Sequence, residues 1–289
     1  MLGAAVLAVG LVTPGMVTWR EGASVLRGAM PFQPQPLPPY KLTLLPANER
    51  RRATPLIQLA LRAVEDCLGA RDDAGELASV FASSGGDMGN LHILCEQLAR
   101  GGKAISPTAF HNSVHNAVAG YWSIGGQARA ASVSLSAHDA TFVAGLLEAL
   151  ALVAERAAPV LYVAYDVAVA PPMSGKRPVT PDFAVALLLA PAAALLLAPA
   201  AALLLAPAAA LGDPPATLRV EAVELTAAGE TTLIDTPFEA LRLGNPAARA
   251  VPLLRVLAAG AAGSIVLDQV GQGWRVHCAP GVPGAAAGR

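Results

Sequence analysis

The chain has 289 residues, 54% of them hydrophobic and 14% charged, and it can bury a substantial core in one large domain or two small ones. Its 20 lysines and arginines nearly balance its 21 aspartates and glutamates, which excludes the basic surface field of a nucleic-acid-binding or anionic-membrane-binding protein. Its three cysteines show no CxxC or Cys/His ligand spacing, which argues against a disulfide framework or a zinc site. We therefore predict a cytoplasmic protein, and no motif requires a cofactor.

The first segment, MLGAAVLAVGLVTPGMVTW, is apolar enough to be compared with an export signal. It has no basic start, and Thr13-Pro14-Gly15 is typical of a turn after a short buried strand. We favour a strand of the mature protein, followed by a first helix over Trp19 to Arg27. Prolines interrupt residues 31–47, which predicts an extended connector.

Thr54-Pro55 predicts the start of the next helix, because a hydroxyl cap is followed by proline at the first helical position. Its expected buried face is Leu56, Leu59, Ala60, Val64, Cys67 and Leu68. Arg50, Arg51 and Arg52 precede this helix, and we interpret them as a basic cluster at a helix start. Such a cluster is usually a solvated surface, and the functional alternative is a contact for an acidic partner protein.

A second buried strand is predicted over Leu77 to Ala82, and it runs into a glycine-containing loop, Ser83 to Gly89. No GK[ST] follows these glycines, so the loop is interpreted as a place of close backbone approach and not as a phosphate site. A helix is predicted over Asn90 to Arg100. We expect the following side chains of this helix to face the core: Leu91, Leu94, Cys95 and Leu98.

His111 and His115 stand four residues apart in FHNSVHNAVAG, which is the spacing of two metal ligands on one helical face. The segment has neither the glutamate of an HExxH motif nor an obvious third ligand. Packing and interface hydrogen bonding, with Asn116 as a further interface residue, are therefore favoured over metal binding.

Residues 131–156 predict a strand, a tight turn and a helix. Ser132 to Ser136 alternates polar and apolar residues, and helical spacing then relates Phe142, Leu146, Leu147, Leu150 and Val153. Asp139 falls just before the helical pattern, where a short polar side chain can cap the first free N–H groups. A strand that runs into a helix N-terminus is also a place where enzymes hold a nucleophile. Ser136 is a candidate nucleophile and His138 a weak candidate base.

Three segments, ASSGGDMGNLH, KAISPTAFHNSVHNAVAGYWSIG and SVSLSAHDATFVAGLLEA, together resemble the N-terminal half of a β-ketoacyl-ACP synthase. The resemblance implies the α/β thiolase fold, with a mixed sheet, covering helices and an elbow that holds an acyl-accepting cysteine. An ungapped comparison from Ile105 places that cysteine at Asp139, and a slip of three residues places it at Ser136. Neither residue is a thiol.

The segment after the elbow is shorter than the resemblance implies. Pro159 to Tyr165 is a buried strand that ends at Asp166, and Phe183 to Leu189 is the next strand. Between them, Val167 to Asp182 stands where ketosynthases have a longer gating loop, so the gate is predicted to be absent or minimal.

An internal repeat follows, with ALLLAPAA at 186–193, 194–201 and 202–209. Proline every eight residues and the lack of a charged flank argue against a membrane span. The first copy continues a strand, and the others are interpreted as an Ala/Leu/Pro insertion of no defined role.

The last part of the chain predicts a strand over Leu218 to Leu225 and a helix from Asn245-Pro246 through Ala259. A final hairpin is expected from Ser264–Leu267 and Trp274–His277. We divide the chain into a ketosynthase-like domain at 1–190, the repeat at 191–211 and a reduced C-terminal α/β portion at 212–289. The resemblance requires two histidines, or a histidine and an asparagine, to decarboxylate the malonyl donor, and none of the five histidines stands in such a motif.

These features predict a non-condensing ketosynthase-like subunit that is similar to a chain-length factor in fatty-acid- or polyene-type acyl chain synthesis. Its implied partners are an active ketosynthase subunit and an acyl carrier protein, with Arg50, Arg51 and Arg52 as a possible carrier-protein contact. Two alternatives stay open. The first is a divergent β-ketoacyl synthase or acyltransferase that uses Ser136 or His138, and the second is a small structural or membrane-associated protein built on the repeat.

Overall fold

The computed structural model describes residues 2–101, 105–192 and 216–281. Its strands are β1 Leu2–Val12, β2 Ala78–Ala82, β3 Ser132–Leu135, β4 Val160–Asp166, β5 Phe183–Ala190, β6 Ala216–Glu224, β7 Gly263–Gln269 and β8 Gln272–Pro280. Its α-helices are α1 Trp19–Leu26, α2 Ala47–Arg52, α3 Pro55–Leu68, α4 Met88–Ala99, α5 Pro107–His111, α6 Ala117–Gly125, α7 Thr141–Arg156, α8 Leu225–Ala228, α9 Thr236–Gly244 and α10 Val251–Ala259.

The strands form one mixed sheet in the order β3-β2-β4-β5-β1-β6-β8-β7. Strand β2 pairs in parallel with both β3 and β4, whereas the remaining neighbours pair antiparallel. The carboxyl ends of the three parallel strands therefore lie at the same edge of the sheet.

Helices cover both faces of this sheet. Phe142, Leu146 and Leu150 of α7 join one core cluster with α1 and α10, and α3 and α6 supply the cluster on the opposite face. Every residue of β4 and β5 is buried, as expected for central strands that are covered on both sides. The predicted α/β architecture of a mixed sheet with covering helices is confirmed.

The N-terminal elements follow the predicted order. The first segment forms β1, which lies between β5 and β6, and α1 follows it. Asp66 of α3 fastens both to the core, because its Oδ2 accepts hydrogen bonds from the backbone nitrogens of Leu11 at 2.9 Å and Trp19 at 2.6 Å. The proline-interrupted connector has no helix or strand between Met30 and Pro46.

The start of α3 is as predicted, with Thr54 Oγ1 accepting from the amide of Ile57 and proline at the first position. The three arginines precede α3, as predicted, but the interpretation of them as a helix start is wrong, because they form the last turn of the separate short helix α2. Arg50 donates to the carbonyls of Leu42 and Leu45, whereas Arg51 and Arg52 are exposed.

Helix α4 forms where it is predicted, but its expected buried face is wrong. Leu94 is buried, whereas the other three predicted inward residues, Leu91, Cys95 and Leu98, are exposed. Hydrophobic periodicity cannot tell a face that packs on the core from one that is left for a partner, since both have the same spacing.

The expectation that His111 and His115 share one helical face is also wrong. Helix α5 ends at His111, α6 begins at Ala117, and His115 lies in the turn between them. His111 packs edge-on against Tyr121 instead, with ring centroids 6.2 Å apart. Within the described ranges, no three histidine, cysteine, aspartate or glutamate side chains are grouped to hold a metal ion.

The C-terminal strand and hairpin are confirmed as β6, β7 and β8, and the predicted last helix is a 3-10 turn, Pro246–Ala250, that continues into α10. Helix α9 was not predicted.

The proposed division of the chain at residues 190 and 211 stays a prediction. The described strands on both sides of this division belong to one sheet. The second and third repeat copies lie outside the described residues. None of the helices in the described segments has the length and apolar character needed to cross a membrane.

Candidate functional site

Polar side chains gather where the three parallel strands end. Ser83 and Ser84 follow β2, Ser136 follows β3, and Asp166 is the last residue of β4. Crevices outside the carboxyl ends of parallel strands are the usual ligand sites of open α/β sheets. We therefore regard this edge as the candidate site.

Asp166 is the buried centre of this edge, with only 3% of its surface exposed. Its Oδ1 accepts three hydrogen bonds, from Ser83 Oγ at 2.9 Å, the Ser84 amide at 2.8 Å and Ser84 Oγ at 3.0 Å. Burial raises the pKa of this carboxyl to about 6, although the bonds from Ser83 and Ser84 and the charge of Arg177 oppose the rise. The two strand ends are thereby joined through one carboxylate.

The elbow between β3 and α7 turns at His138, whose φ of 52° lies in the left-handed region that non-glycine residues rarely adopt. Thr141 stabilises the turn, because its Oγ1 accepts from the Ala137 amide at 3.0 Å and donates to the His138 carbonyl at 2.6 Å. Strained backbone of this kind is often found at functional sites.

Asp139 does not cap α7, so that prediction is wrong. Ala140 occupies the N-cap position, and no side-chain capping bond is made there. The Asp139 carboxylate, 54% exposed, instead forms an ion pair with Arg177, whose Nη1 lies 2.7 Å from Asp139 Oδ1, and its Oδ2 lies 3.5 Å from His138 Nδ1. Arg177 belongs to the segment that was compared with a gating loop, so this segment reaches the elbow.

Ser136 and His138 are close in sequence but are not joined by a hydrogen bond among the described residues. Ser136 Oγ donates to the Ser84 carbonyl at 2.9 Å, and 73% of the His138 side chain is exposed. A nucleophilic serine needs its base within hydrogen-bond reach. His115 lies nearby, with Nε2 2.9 Å from the Ser83 carbonyl oxygen.

A polar pocket of about 150 Å³ opens beside the elbow. Residues 137–140 form one wall, and the opposite wall comes from the C-terminal part of the chain through Glu230, Arg249, Asp268 and Val270. Glu230 Oε1 accepts from the buried Arg242 at 2.8 Å and from Arg249 at 3.4 Å, so its negative charge is paired with two arginines. The pocket has carboxylates and an arginine but no thiol.

The sequence interpretation missed Arg177, Glu230, Arg249 and Asn245. Asn245 is fully buried and donates to the carbonyls of Asp166, at 3.1 Å, and Pro181, at 2.7 Å, which ties the end of β4 to the C-terminal part. Asp166 was missed as well, although a carboxylate at the end of the apolar strand β4 could have marked it as a site residue. The partners of Asp139 and Asp166 lie far away in sequence, and no local pattern identifies them.

The relation to known proteins follows from a domain comparison. The model for the N-terminal domain of β-ketoacyl synthases matches residues 19–235, which is three quarters of the chain. This chain belongs to the β-ketoacyl synthase family. No curated protein sequence matches it.

Several solved structures share the fold of this β-ketoacyl synthase family member. A ketosynthase in complex with its chain length factor from Xenorhabdus doucetiae has a TM-score of 0.69 and 22% identity, covering 96% of this chain and 100% of that one. The ishigamide ketosynthase/chain length factor has a TM-score of 0.66 and 14% identity, covering 96% and 99%. A type II polyketide synthase acyl-carrier protein in complex with its ketosynthase bound to the hexaketide has a TM-score of 0.67 and 12% identity, covering 97% and 99%. The predicted thiolase-like fold is confirmed.

Proposed function

We propose that this chain is a non-condensing partner subunit, similar to a chain-length factor, that pairs with an active ketosynthase in the cytoplasm during fatty-acid- or polyene-type acyl chain synthesis. The elbow carries the proposal. A side chain there must attack an acyl thioester if the chain is to condense acyl groups, and the elbow residues are Ser136, Ala137, His138 and Asp139.

The chemistry of condensation needs a thiolate, an oxyanion hole and a polar pair that stabilises the enolate as CO₂ leaves. Cys67 and Cys278 are buried in α3 and β8, and burial raises the pKa of the Cys278 thiol to about 11. Cys95 lies on α4. The carboxylate of Asp139 at the elbow would repel a developing alkoxide on a neighbouring side chain.

Two exposed features support a partner. The first is the α4–α6 surface, which we define by the exposed apolar side chains Leu91, Ile93, Leu98, Phe110, Val114 and Ile124. Phe110 is 64% exposed, although an aromatic side chain of this size is usually buried. Asn90 of α4 donates to the Ala109 carbonyl at 2.7 Å, which holds α4 against α5. Exposed apolar side chains on adjoining helices are typical of protein interfaces.

The second feature is the free edge of the sheet. Strand β3 pairs with β2 on one side and has no further strand beyond it in the described sheet. At the other edge, Thr231 covers β7, because its hydroxyl accepts from the Val266 amide at 2.7 Å and its own amide donates to the Val266 carbonyl at 2.9 Å. An open edge strand can pair with a strand of another chain. The β3 edge therefore suits the partner role.

Partner binding is the direct test. We expect a one-to-one complex between this chain and a ketosynthase that carries an elbow cysteine and is encoded beside it, measured by analytical ultracentrifugation. Phe110→Asp should weaken the complex by roughly 30-fold or more, because a buried charge would replace an aromatic anchor, about 2 kcal/mol. The matched control is Ile234→Asp, since Ile234 is fully exposed but lies outside the α4–α6 surface. Equal weakening by both variants, or no complex with the wild-type chain, would contradict the proposal.

The arginines of α2 remain the proposed carrier-protein contact, now reduced to Arg51 and Arg52. Arg50 donates to two carbonyls of the connector and is thereby committed to the fold. An acidic carrier protein would be attracted by the exposed pair, and this attraction should weaken as salt is added. His111, His115 and Asn116 remain proposed interface residues. One ring nitrogen of His115, Nε2, already contacts the Ser83 carbonyl oxygen and is therefore not free to bind a partner.

Restoring the family thiol should not create a condensing enzyme. In Asp139→Cys the new thiol would have no donor-site pair to form the enolate, so turnover of malonyl carrier protein by the chain alone should equal the no-enzyme control. Mass spectrometry after incubation with an acyl thioester should also find no acylated Ser136, because its hydroxyl donates to the Ser84 carbonyl and no base is hydrogen-bonded to it in the described structure. Condensation by Asp139→Cys, or acylation that Ser136→Ala removes, would favour the synthase or acyltransferase alternative.

A further inference from the structure

The connection between β4 and β5, residues 167–182, is fixed at its base by hydrogen bonds. The amide of Val169 donates to the Val179 carbonyl at 3.0 Å, which closes the loop across its base, and Ala168 donates to Asp182 Oδ1 at 2.7 Å. The amide of Thr180 donates to the Gly244 carbonyl at 2.9 Å. These bonds fix the base of the loop, and the part between Val169 and Val179 carries the ion pair with the elbow.

Arg177 lies in that part and has two carboxylates in its surroundings. Its side chain is 20% exposed, and its Nη1 forms the ion pair with Asp139 at the elbow. Its Nη2 and the Oδ2 of Asp166 are both buried atoms without a hydrogen-bond partner in the described part of the chain. The positive charge of Arg177 also lowers the pKa of Asp166 against the effect of burial.

We propose that Arg177 is a positioning residue that holds the 167–182 connection on the elbow, with one guanidinium paired directly with the exposed Asp139 and acting on the buried Asp166 through its charge. Water screens the attraction between Arg177 and Asp139 less than it screens a fully exposed ion pair, because only 20% of the Arg177 side chain is exposed. The connection cannot lift away unless this guanidinium gives up its partner. The ion pair also holds the turn at His138, which directly precedes Asp139.

Limited proteolysis measures whether the ion pair holds the connection. The chain has three lysines, at 41, 103 and 176, and Lys176 is exposed in the connection beside Arg177. An endoproteinase that cleaves after lysine should cut the Lys176–Arg177 bond roughly 3- to 10-fold faster in Asp139→Asn than in the wild-type chain, since local opening exposes the bond. Asp139→Asn leaves the cleaved sequence unchanged, and cleavage after Lys41 is the internal reference. Asp72→Asn, an exposed aspartate elsewhere, is the matched control and should leave the rate unchanged.

The titration of Asp166 tests whether the charge of Arg177 acts on Asp166 as well as on Asp139. Tyr162 and Tyr165 of the same strand, Arg177 of the connection and His115 beside Ser83 are the ionisable groups around this carboxyl. A ¹³C NMR titration of the full chain should show a lower pKa for Asp166 in Asp139→Asn, because the guanidinium is released toward it. Arg177→Gln should raise the pKa above about 6, since the lowering charge is gone.

A double-mutant cycle separates two effects on the pKa of Asp166. One is the charge of Arg177, which acts on both carboxylates, and the other is the direct electrostatic interaction between Asp139 and Asp166. If the charge of Arg177 acts on both, Asp139→Asn should move the pKa of Asp166 much less in the Arg177→Gln background. An equal shift in both backgrounds, or unchanged cleavage at Lys176 in Asp139→Asn, would overturn the proposal. Neither measurement involves a ketosynthase, so the outcome is independent of the proposed function.

Discussion

Replacing Gly10 with alanine should cost about 3 kcal/mol or more of unfolding free energy, which is at the upper end for adding a single methyl group. Gly10 lies in β1, where α3 crosses the sheet. A Cβ at this position would overlap the carbonyl oxygen of Ala63 and come within 2.7 Å of the Cys67 backbone nitrogen. Both obstacles are backbone atoms of one buried helix, so relief requires the helix to move away from the central sheet.

Urea unfolding followed by circular dichroism measures this loss. Gly120→Ala is the matched control, because Gly120 lies on α6 and a Cβ added there would meet nothing within 4 Å. Alanine there should be neutral or stabilise the fold by about 0.5–1 kcal/mol, since glycine is a poor helix former. A loss in Gly10→Ala no larger than about 0.5 kcal/mol would mean that α3 yields easily at this contact.

The central sheet could be predicted because its strands have strong local signals. Strands β4 and β5 are continuous apolar runs, and such runs are typical of strands covered on both faces. Thr54-Pro55 likewise marked the start of α3 through chemistry that is entirely local. The pairing order of the strands was not predicted, because no local rule places β1 between β5 and β6.

The errors have a common cause, which is that the deciding partner is distant in sequence. Asp139 has the position and chemistry of an N-cap, but Arg177 offers its carboxylate a charged partner, and the turn is stabilised by Thr141 instead. Leu91 and Leu98 have helical spacing but no core beneath them. A sequence pattern shows that such residues need partners without showing where the partners are.

The buried carboxyl of Asp166 should make the fold less stable as the pH rises. Burial raises its pKa from 3.8 to about 6, so between these values the folded state binds more protons than the unfolded state. Under that condition the unfolding free energy falls with increasing pH. The contribution of Asp166 is fully present below about pH 4 and is lost as the pH passes 6, and the difference between the two pKa values corresponds to about 3 kcal/mol.

Asp166→Asn removes this titration but keeps an oxygen that can accept from Ser83 and Ser84. Relative to the wild-type chain, the variant should therefore gain up to about 3 kcal/mol between pH 4 and pH 7. Urea unfolding at pH 4, 5, 6 and 7 measures the difference, and carboxyls such as Glu239, whose pKa Arg242 lowers, cancel because both proteins contain them. Asp166→Ala should lose stability at every pH, because the donors of Ser83 and Ser84 remain buried without their acceptor. Parallel profiles for the wild type and Asp166→Asn would show that this carboxyl does not titrate in the window, and that the strand ends are joined by an already charged group.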